Sequence, residues 1–224
     1  MKAASIREKL AVVVCYCSND SRFIEKCLDQ ALLVSDNVIV PVSDHLFGGD
    51  PEDLESIIAL TTRYPQVNFS VFEWYPGKFP RYWHNMSRIL GNSLIPDKYD
   101  WVLFLDADEV LEADLFNKFV STSTFDSYDT YKLGCYWYFR EPIYQSKSFE
   151  ASPVLVRKHL ININPEDANC EREQMFEYLN VPKQFLVLQD GNPLVHHFSW
   201  VRTKDEMLKK VKNWGHANDT NWEM

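Results

Sequence analysis

Acidic residues follow one apolar segment in the middle of the chain. Asp106, Asp108 and Glu109 come directly after Trp101–Leu105, a run that contains no polar residue. Such a run is typical of a central β-strand covered on both faces, and ligands of open α/β sheets bind just beyond these strands. Asp106 and Asp108 can therefore bind a hard divalent cation through oxygen and leave positions for substrate phosphates. One acid could instead cap a helix beginning near Glu112, but a cap needs only one.

The acidic pair resembles a motif of a known enzyme class. Asp106-Ala107-Asp108 after an apolar strand is similar to the Asp-x-Asp motif of GT-A fold glycosyltransferases, which use nucleotide sugars. The segment 197–200, His-Phe-Ser-Trp, and the helical segment 206–216 resemble the C-terminal part of a family that includes the β-1,4-mannosyl-glycoprotein N-acetylglucosaminyltransferases. That family usually has an aromatic residue before the first histidine, whereas this chain has His196.

The resemblance implies an activity and a metal site. It implies transfer of a sugar, with a UDP-sugar donor favoured, to a carbohydrate or glycoconjugate acceptor. Asp106 and Asp108 would bind Mn2+ or Mg2+, and Asp106 could also contact the ribose. Side chains alternate across a strand, so only one of His196 and His197 faces the cleft. The resemblance favours His197 as a metal ligand or a phosphate contact, and neutral imidazole is an acceptable manganese ligand.

A basic group on the predicted helix 203–217 would neutralise the diphosphate of the donor. Lys210, Lys212 and His216 are the alternatives, and Lys212 is our candidate. Most of the positive charge on this helix is typical of a solvated face, because apolar residues occupy the other side. The helix therefore contributes one side chain at most to the predicted site.

The loop after the first predicted strand contains neither a Gly-x-Gly-x-x-Gly pattern nor a Walker lysine pattern. This absence argues against a dinucleotide site and against a P-loop site. By resemblance to GT-A enzymes, Tyr16 and Ser18 are candidates to contact uridine. Asp44, just after the second predicted strand, could accept hydrogen bonds from the base or ribose, or be an ordinary turn acid. Asn19 or Asp20 could cap the next helix.

Polar residues recur on the helix that precedes the acidic motif. Arg81, His84, Asn85, Arg88 and Asn92 are spaced by three and four residues, so they share one helix face. GT-A enzymes often turn this face toward the nucleotide. Asn85 and Arg88 are therefore our candidates for nucleotide contacts, and the alternative is a solvated face.

Glycosyl transfer with inversion needs a general base near the acceptor hydroxyl. GT-A inverting enzymes commonly place it at the start of a helix, and the acid-rich segment Pro165–Glu173 runs into one. We favour Asp167 as the catalytic base, with Glu171 second, over Glu166 and Glu173. The alternative is that these acids cap the helix or complement its dipole.

Length and composition predict one domain over residues 1–224. With 224 residues, 46% of them hydrophobic, the chain can bury a substantial core. Residues 1–110 would form a nucleotide-binding half and residues 111–224 an acceptor half. The net charge of −9 argues against nucleic acid as a partner. A nucleotide diphosphate remains compatible with this charge if a divalent metal compensates it.

The cysteines and the hydropathy pattern indicate a cytoplasmic protein. Five cysteines, an odd number, lie mostly within or beside apolar stretches, which is typical of reduced thiols. No segment approaches the about 20 apolar residues of a membrane helix. Because many Golgi glycosyltransferases carry a membrane anchor, the chain either works in the cytosol or is a domain of a longer protein.

The order of predicted elements indicates an α/β fold. Strands at 10–17, 37–42, 67–74 and 101–105 alternate with helices at 22–33, 51–63 and 81–93. This alternation predicts a GT-A (Rossmann-like) domain with a mainly parallel central sheet flanked by helices. The chain after Asp129 becomes aromatic-rich and alternating, which predicts a more irregular acceptor half.

Two other functions fit parts of the sequence. A sugar nucleotidyltransferase also uses paired acids, but normally has a Gly-rich loop with a basic residue after the first strand. A non-catalytic carbohydrate-binding module would bind sugar without metal on aromatic platforms. The candidate platform residues are Trp74, Tyr82, Trp83, Tyr136, Trp137 and Tyr138.

Overall fold

The computed structural model describes residues 6–215, and their first half alternates strands and helices. The elements are Leu10–Cys15 (β1), Ser21–Val34 (α1), Asn37–Ser43 (β2), Leu54–Arg63 (α2), Asn68–Phe72 (β3), Pro80–Ser93 (α3) and Trp101–Asp106 (β4). β1 pairs in parallel with β2 and β4, and β2 pairs in parallel with β3. The predicted order of elements in this half is confirmed.

The second half adds shorter and more varied elements. They are Glu109–Leu111 (β5), Ala113–Val120 (α4), Thr130–Phe139 (β6), Glu141–Gln145 (β7), Glu150–Arg157 (β8), Glu171–Phe176 (α5), Lys183–Gln189 (β9), Asn192–Pro193 (β10), Val195–Trp200 (β11) and Lys204–Asn213 (α6). β8 pairs antiparallel with both β4 and β6 and so joins the two halves in one sheet. β6 pairs in parallel with β9 and β11.

The sheet is therefore mixed: the first four strands are parallel as predicted, and the second half combines parallel and antiparallel pairs. β5, β7, β9 and β10 were not predicted from the sequence. β5 and β10 have three and two residues, and every residue of β7 is exposed, so these three strands carry no clear hydrophobic period. β5 and β9 pair with strands that are distant in sequence, β11 and β6, and such pairs become visible in the tertiary structure alone.

β1 is buried on both faces, which explains its unbroken apolar sequence. Val12 and Val14 face one core cluster together with Ile24 of α1, whereas Ala11 and Val13 face a second cluster on the other side. Successive strand residues point to opposite faces, so a strand covered by helices on both sides must be apolar at every position. The helices on both faces thus fix the strand ends rigidly.

The strand pairing brings the acidic motif and the C-terminal histidines to one sheet edge. Asp106 pairs with Cys15 at the ends of β4 and β1. β5 then places Glu109 opposite His197 of β11. The same His197 pairs with Trp137 on β6. Segments far apart in sequence therefore meet where the sequence predicts a ligand site.

The cysteines form no disulfide. Cys15, Cys17, Cys27, Cys135 and Cys170 are free thiols. Burial raises the pKa of Cys27 and of Cys135 well above the usual thiol value, so both stay protonated. Within residues 6–215, none of the helices combines the length and the apolar character that crossing a membrane requires.

The contact between α3 and β1 generates a stability prediction. A Cβ atom on Gly91 would meet Val13 Cγ1 closer than carbon atoms approach, with Pro41 Cγ at 3.1 Å. Gly91→Val should therefore lower the free energy of unfolding by about 1–3 kcal/mol through overpacking. Urea denaturation measures this loss. The control Ser93→Val lies on an exposed site of the same helix and should change the free energy by at most about 0.5 kcal/mol. Equal losses in the two variants would contradict this packing argument.

Candidate functional site

A cavity of about 510 Å³ opens at the carboxyl ends of β1 and β4. This volume lies within the range of small-molecule sites. The cavity is lined by charged groups of both signs and by aromatic side chains. Of the predicted site residues, its lining includes Tyr16, Asp106, Asp108 and His197.

Asp108 and His197 face each other across a short gap inside this cavity. The distance between Asp108 Oδ1 and His197 Nε2 is 3.7 Å. The other ring nitrogen, His197 Nδ1, lies 2.9 Å from Glu150 Oε2. A carboxylate that holds one nitrogen and aims the other is the usual support of a metal-binding histidine. A cation at about 2.0–2.2 Å from each atom could bridge this gap, so the pair fits a divalent ion.

The second oxygen of Asp108 is held by cations of the protein. Lys210 Nζ lies 2.6 Å and Arg202 Nη2 3.1 Å from Asp108 Oδ2. Burial alone would raise the pKa of Asp108, but Lys210 and His197 outweigh burial and lower it. Asp108 therefore stays ionised, with one oxygen for a metal and one for the internal cations.

Asp106 belongs to a different ionic cluster. Arg88, a fully buried residue of α3, donates to Asp106 and lies 2.7 Å from Glu171 Oε1 through Nε. Arg172 Nη2 lies 3.3 Å from Asp106 Oδ2. Burial alone would raise the pKa of Asp106, but Arg172 and Arg88 hold it well below the usual range. The charge of Asp106 is thus already neutralised by two guanidinium groups.

The three predicted metal ligands, Asp106, Asp108 and His197, lie in two different charge clusters. Within the described residues, the one group of three or more metal-ligating side chains with atoms within 4.8 Å of one another is Cys15, His84 and Asp106. Asp106 pairs with Arg88 and Arg172, whereas Asp108 and His197 face each other inside the cavity.

Glu109, the third acid of the motif, has a structural role. It is fully buried and forms a two-pronged ion pair with Arg172, with distances of 2.8 Å and 2.7 Å. Glu109 also accepts a hydrogen bond of 2.7 Å from the backbone N–H of Asp106. These bonds hold the turn between β4 and β5 and orient the motif. Arg172 was missed at the sequence level, since its partner lies 63 residues away.

Of the nucleotide contacts predicted on the loops after β1 and β2, Tyr16 lines the cavity, whereas Ser18 and Asp44 form hydrogen bonds elsewhere. The backbone N–H of Ser18 donates to Glu52, with a shortest distance of 3.1 Å. Asp44 accepts a hydrogen bond of 2.7 Å from the backbone N–H of Trp74. Burial raises the pKa of Tyr16, so its hydroxyl stays protonated in the cavity wall.

Asn85 and Arg88 face the protein interior on α3. The side-chain amide of Asn85 donates to the carbonyl oxygens of Asp167 and Asn169, at 3.2 Å and 3.3 Å. Both side chains are buried, and neither lines the cavity. They position the segment before α5 and the acidic motif.

Lys210, not Lys212, enters the cavity from α6. Lys210 is 8% exposed, and its Nζ lies 2.9 Å from Ser199 Oγ. Lys212 is directed to solvent and donates to Asp50 at 2.9 Å. Residues two apart on a helix point to different faces, so Lys210 and Lys212 cannot both enter the cavity. The alternative His216 lies outside the described residues.

Glu171 and Asp167, the two favoured candidates for the catalytic base, contact other groups of the protein. Glu171 is fully buried beside Arg88. Burial would raise the pKa of Glu171, but Arg88 and His84 outweigh burial and lower it, which makes Glu171 a weak base. The Asp167 carboxylate accepts a 2.9 Å hydrogen bond from the backbone N–H of Asn169. Neither predicted base lines the cavity.

His196 lies on the other face of β11. Its Nδ1 is 2.6 Å from the hydroxyl of Tyr138, and its Nε2 is 2.7 Å from Glu112 Oε1. The imidazole stacks between Tyr136 and Tyr138, with ring centroids at 5.1 Å and 5.8 Å. Alternation along β11 thus directs His197 to the cavity and His196 to this aromatic stack.

Comparison with known proteins finds similarity at the level of structure. Neither a protein-family model nor a curated protein sequence matches the chain. Staphylococcus aureus TarS 1–349 superimposes with a TM-score of 0.56 and 14% identity, covering 85% of this chain and 60% of TarS 1–349. The mannosyltransferase PcManGT from Pyrobaculum calidifontis, solved with GDP-Man and Mn2+, superimposes with a TM-score of 0.55 and 12% identity. The match covers 92% of this chain and 61% of PcManGT.

A third similar structure is shorter. The 4-diphosphocytidyl-2C-methyl-D-erythritol synthase from Anaerococcus prevotii superimposes with a TM-score of 0.53 and 12% identity, covering 90% of this chain and 96% of its own. This chain spans about three fifths of the TarS and PcManGT chains. These similarities confirm the predicted α/β fold of the GT-A type, with a large central sheet flanked by helices.

The environment of His197 predicts how metal affinity depends on pH. Burial would lower the pKa of His197, but the hydrogen bond to Glu150 and the charge of Asp108 outweigh burial and raise it to about 9. A proton therefore competes with a cation for Nε2 below pH 9. The apparent affinity for Mn2+ should rise about tenfold per pH unit from pH 6 to pH 8. Titration calorimetry measures this slope.

Two variants control this pH experiment. His197→Ala should weaken Mn2+ binding and flatten its pH dependence, because the competing proton is removed with the ring. His196→Ala alters the opposite face of β11 and should retain the slope. A slope that is unchanged in His197→Ala would show that another group takes up the proton.

Proposed function

We propose that the chain is a metal-assisted glycosyltransferase. It would move a sugar from a nucleotide diphosphate, with a UDP-sugar favoured, to a carbohydrate or glycoconjugate acceptor. The observation that carries the proposal is the pairing of Asp108 and His197, backed by Glu150, inside a cavity at the strand ends of a GT-A type fold. Ligands of such sheets bind at this edge.

Asp108 Oδ1 and His197 Nε2 would hold Mn2+ or Mg2+. When bound, the cation acts as a Lewis acid that stabilises the departing diphosphate. Glu150 fixes the ring of His197 through the 2.9 Å contact with Nδ1. The remaining positions of the cation are open to donor phosphates and water, since the protein supplies two ligands.

Lys210 would contribute the second positive charge for the diphosphate. Its ammonium group lines the cavity and donates to Asp108 Oδ2 at 2.6 Å and to Ser199 Oγ at 2.9 Å, which leaves one further donor hydrogen. Burial would lower the pKa of Lys210, but Asp108 and Asp20 outweigh burial and raise it, so Lys210 stays charged. A charged group fixed before the substrate binds stabilises developing charge without reorganisation.

The similar structures support a nucleotide-sugar donor. TarS has been crystallised with UDP-GlcNAc, at 15% identity and a TM-score of 0.54 to this chain, and PcManGT with GDP-Man and Mn2+. In this chain Tyr16, the first residue of the loop after β1, would lie beside the nucleotide base. The half at residues 1–110 would bind the nucleotide and the half at 111–224 the acceptor.

A sugar nucleotidyltransferase is the second candidate, because the Anaerococcus prevotii synthase matches over 96% of its length. The loop after β1 argues against it. This loop forms a short 3-10 helix, Ser18–Asp20, and contains no glycine, lysine or arginine between Tyr16 and Asp20. Incubation with UTP and a sugar phosphate tests this candidate, since a nucleotidyltransferase would release pyrophosphate.

A purely carbohydrate-binding role on the predicted aromatic platforms is disfavoured. Tyr82, Trp83 and Tyr138 are 8%, 2% and 6% exposed, so their faces are occupied by the protein core. Trp74 packs against Trp83 with ring centroids at 6.0 Å. Tyr136 stacks on His196. Of the predicted platform residues, Trp137 alone lines a surface groove.

The metal assignment predicts the effect of removing one charge. Asp108→Asn should weaken Mn2+-dependent UDP binding at least about 100-fold, because a neutral amide is a poor ligand and no longer attracts Lys210. Titration calorimetry with UDP, with and without Mn2+, measures the change, and circular dichroism checks the fold. The control Asp97→Asn removes a fully exposed carboxylate and should leave the affinity unchanged. Unaltered metal-dependent affinity in folded Asp108→Asn would refute the assignment.

The donor prediction is checked by turnover. We expect metal-dependent hydrolysis of at least one compound in a panel of UDP-sugars and GDP-mannose, with UDP-sugars preferred. EDTA should abolish this hydrolysis, and added Mn2+ should restore it. Absence of hydrolysis and of UDP binding together would refute a nucleotide-sugar donor.

A further inference from the structure

A second groove lies directly beside the donor cavity. It is lined by aromatic and aliphatic side chains from β6, β7 and β11, together with short polar side chains from β7, the turn after it and the start of β8. Phe139, Ile143, Tyr144 and Phe149 are 54%, 74%, 57% and 39% exposed. Contiguous exposed apolar groups of this kind mark a binding surface.

The hydrogen bonds of the β6–β7 hairpin preform this groove. The backbone N–H of Arg140, a residue with φ of 67° in the tight turn, donates to the carbonyl of Trp200 at 2.9 Å. The backbone N–H of Ser146 donates to the carbonyl of Trp137 at 2.9 Å. The aromatic side chains thus stand on paired strands and need little ordering when a ligand binds.

Strand pairing makes the groove continuous with the donor cavity. Glu150 and Trp200 line both spaces. On the ladder between β6 and β11, Trp137 of the groove pairs with His197 of the cavity. Directly paired residues of neighbouring strands carry their side chains on the same sheet face. A molecule in the groove therefore reaches the place where the donor would bind.

The chemical character of the groove matches a neutral carbohydrate. Flat aromatic faces suit the apolar face of a pyranose ring, and polar side chains between them suit its hydroxyl groups. These polar groups are Gln145, Ser146, Ser148 and Glu150. Glu150 is the one charged residue of the lining, and a carboxylate accepts hydrogen bonds from hydroxyl groups.

We propose that this groove is the acceptor site and binds a neutral oligosaccharide, with the reacting hydroxyl directed to the cavity at Glu150. The proposal rests on the glycosyltransferase function proposed above. It deepens that function by assigning the acceptor to the outer strands β6, β7 and β8 rather than to the segment before α5. A phospholipid surface is the less suitable occupant, because no lysine or arginine lines the groove to meet its phosphates.

A binding experiment on the full chain tests the groove. Cellotriose, chitotriose, mannotriose and maltotriose are titrated while tryptophan fluorescence is recorded, since Trp137 and Trp200 both line the groove. We expect at least one trisaccharide to bind. The double variant Tyr144→Ala/Phe149→Ala should weaken its binding about tenfold or more, because two stacking faces are removed.

The matched control removes one tyrosine and one phenylalanine that are exposed elsewhere on the surface. Tyr178 and Phe185 are 59% and 63% exposed and do not line the groove. Tyr178→Ala/Phe185→Ala should retain trisaccharide binding. Both double variants should bind UDP with Mn2+ within about twofold of the native chain, because the four substituted residues lie outside the donor cavity. This UDP measurement also confirms that the variants fold.

The outcomes separate the two proposals. If the native chain binds UDP with Mn2+ but no trisaccharide, or if the groove variant binds as tightly as the control, the acceptor assignment is overturned and the donor function stands. Binding of the native chain to phosphatidylcholine vesicles that the groove variant loses, without trisaccharide binding, also overturns it. If UDP does not bind at all, the glycosyltransferase proposal itself fails.

Discussion

Carboxylates buried at the end of β4 must be balanced by positive charge, and the architecture around the cavity depends on this constraint. An isolated ionised carboxylate in a protein interior is very unfavourable. The compensating groups come from segments distant in sequence: Arg88 from α3, Arg172 from α5, Arg202 after β11 and Lys210 from α6. Each ion pair therefore fixes one segment relative to the motif strand, and together they join both halves of the chain around the cavity.

The acids of the motif differ in the groups that balance their charges. Asp106 and Glu109 are neutralised by Arg88 and Arg172, so their charges are used within the protein. Asp108 differs because Lys210 and Arg202 both pair with Oδ2, whereas Oδ1 faces His197 at 3.7 Å. A diphosphate and its metal would thus enter a site where anions and cations are already arranged. Such preorganisation favours charge development during group transfer.

β6 connects the two spaces on which the proposed reaction depends. It pairs with β11, which carries His197, and with β7 and β8, which supply the outer groove. Glu150, at the start of β8, holds His197 and also borders the groove. One carboxylate thus supports the proposed metal ligand and faces the proposed acceptor. Donor and acceptor sites built on one rigid sheet keep a defined distance, which is what proximity between two substrates requires.

The sequence by itself determined the strands and helices of the first half and the position of the acidic motif. Hydrophobic periodicity is local, so β1, α1 and β4 could be predicted together with a site at the end of β4. Only the tertiary structure showed that Lys210 rather than Lys212 enters the cavity. It also showed that Arg88 pairs with both Asp106 and Glu171. Those assignments depend on which charges meet across long sequence separations, such as the 102 residues between Asp108 and Lys210. No local pattern encodes such contacts, because they arise when the sheet and its covering helices pack.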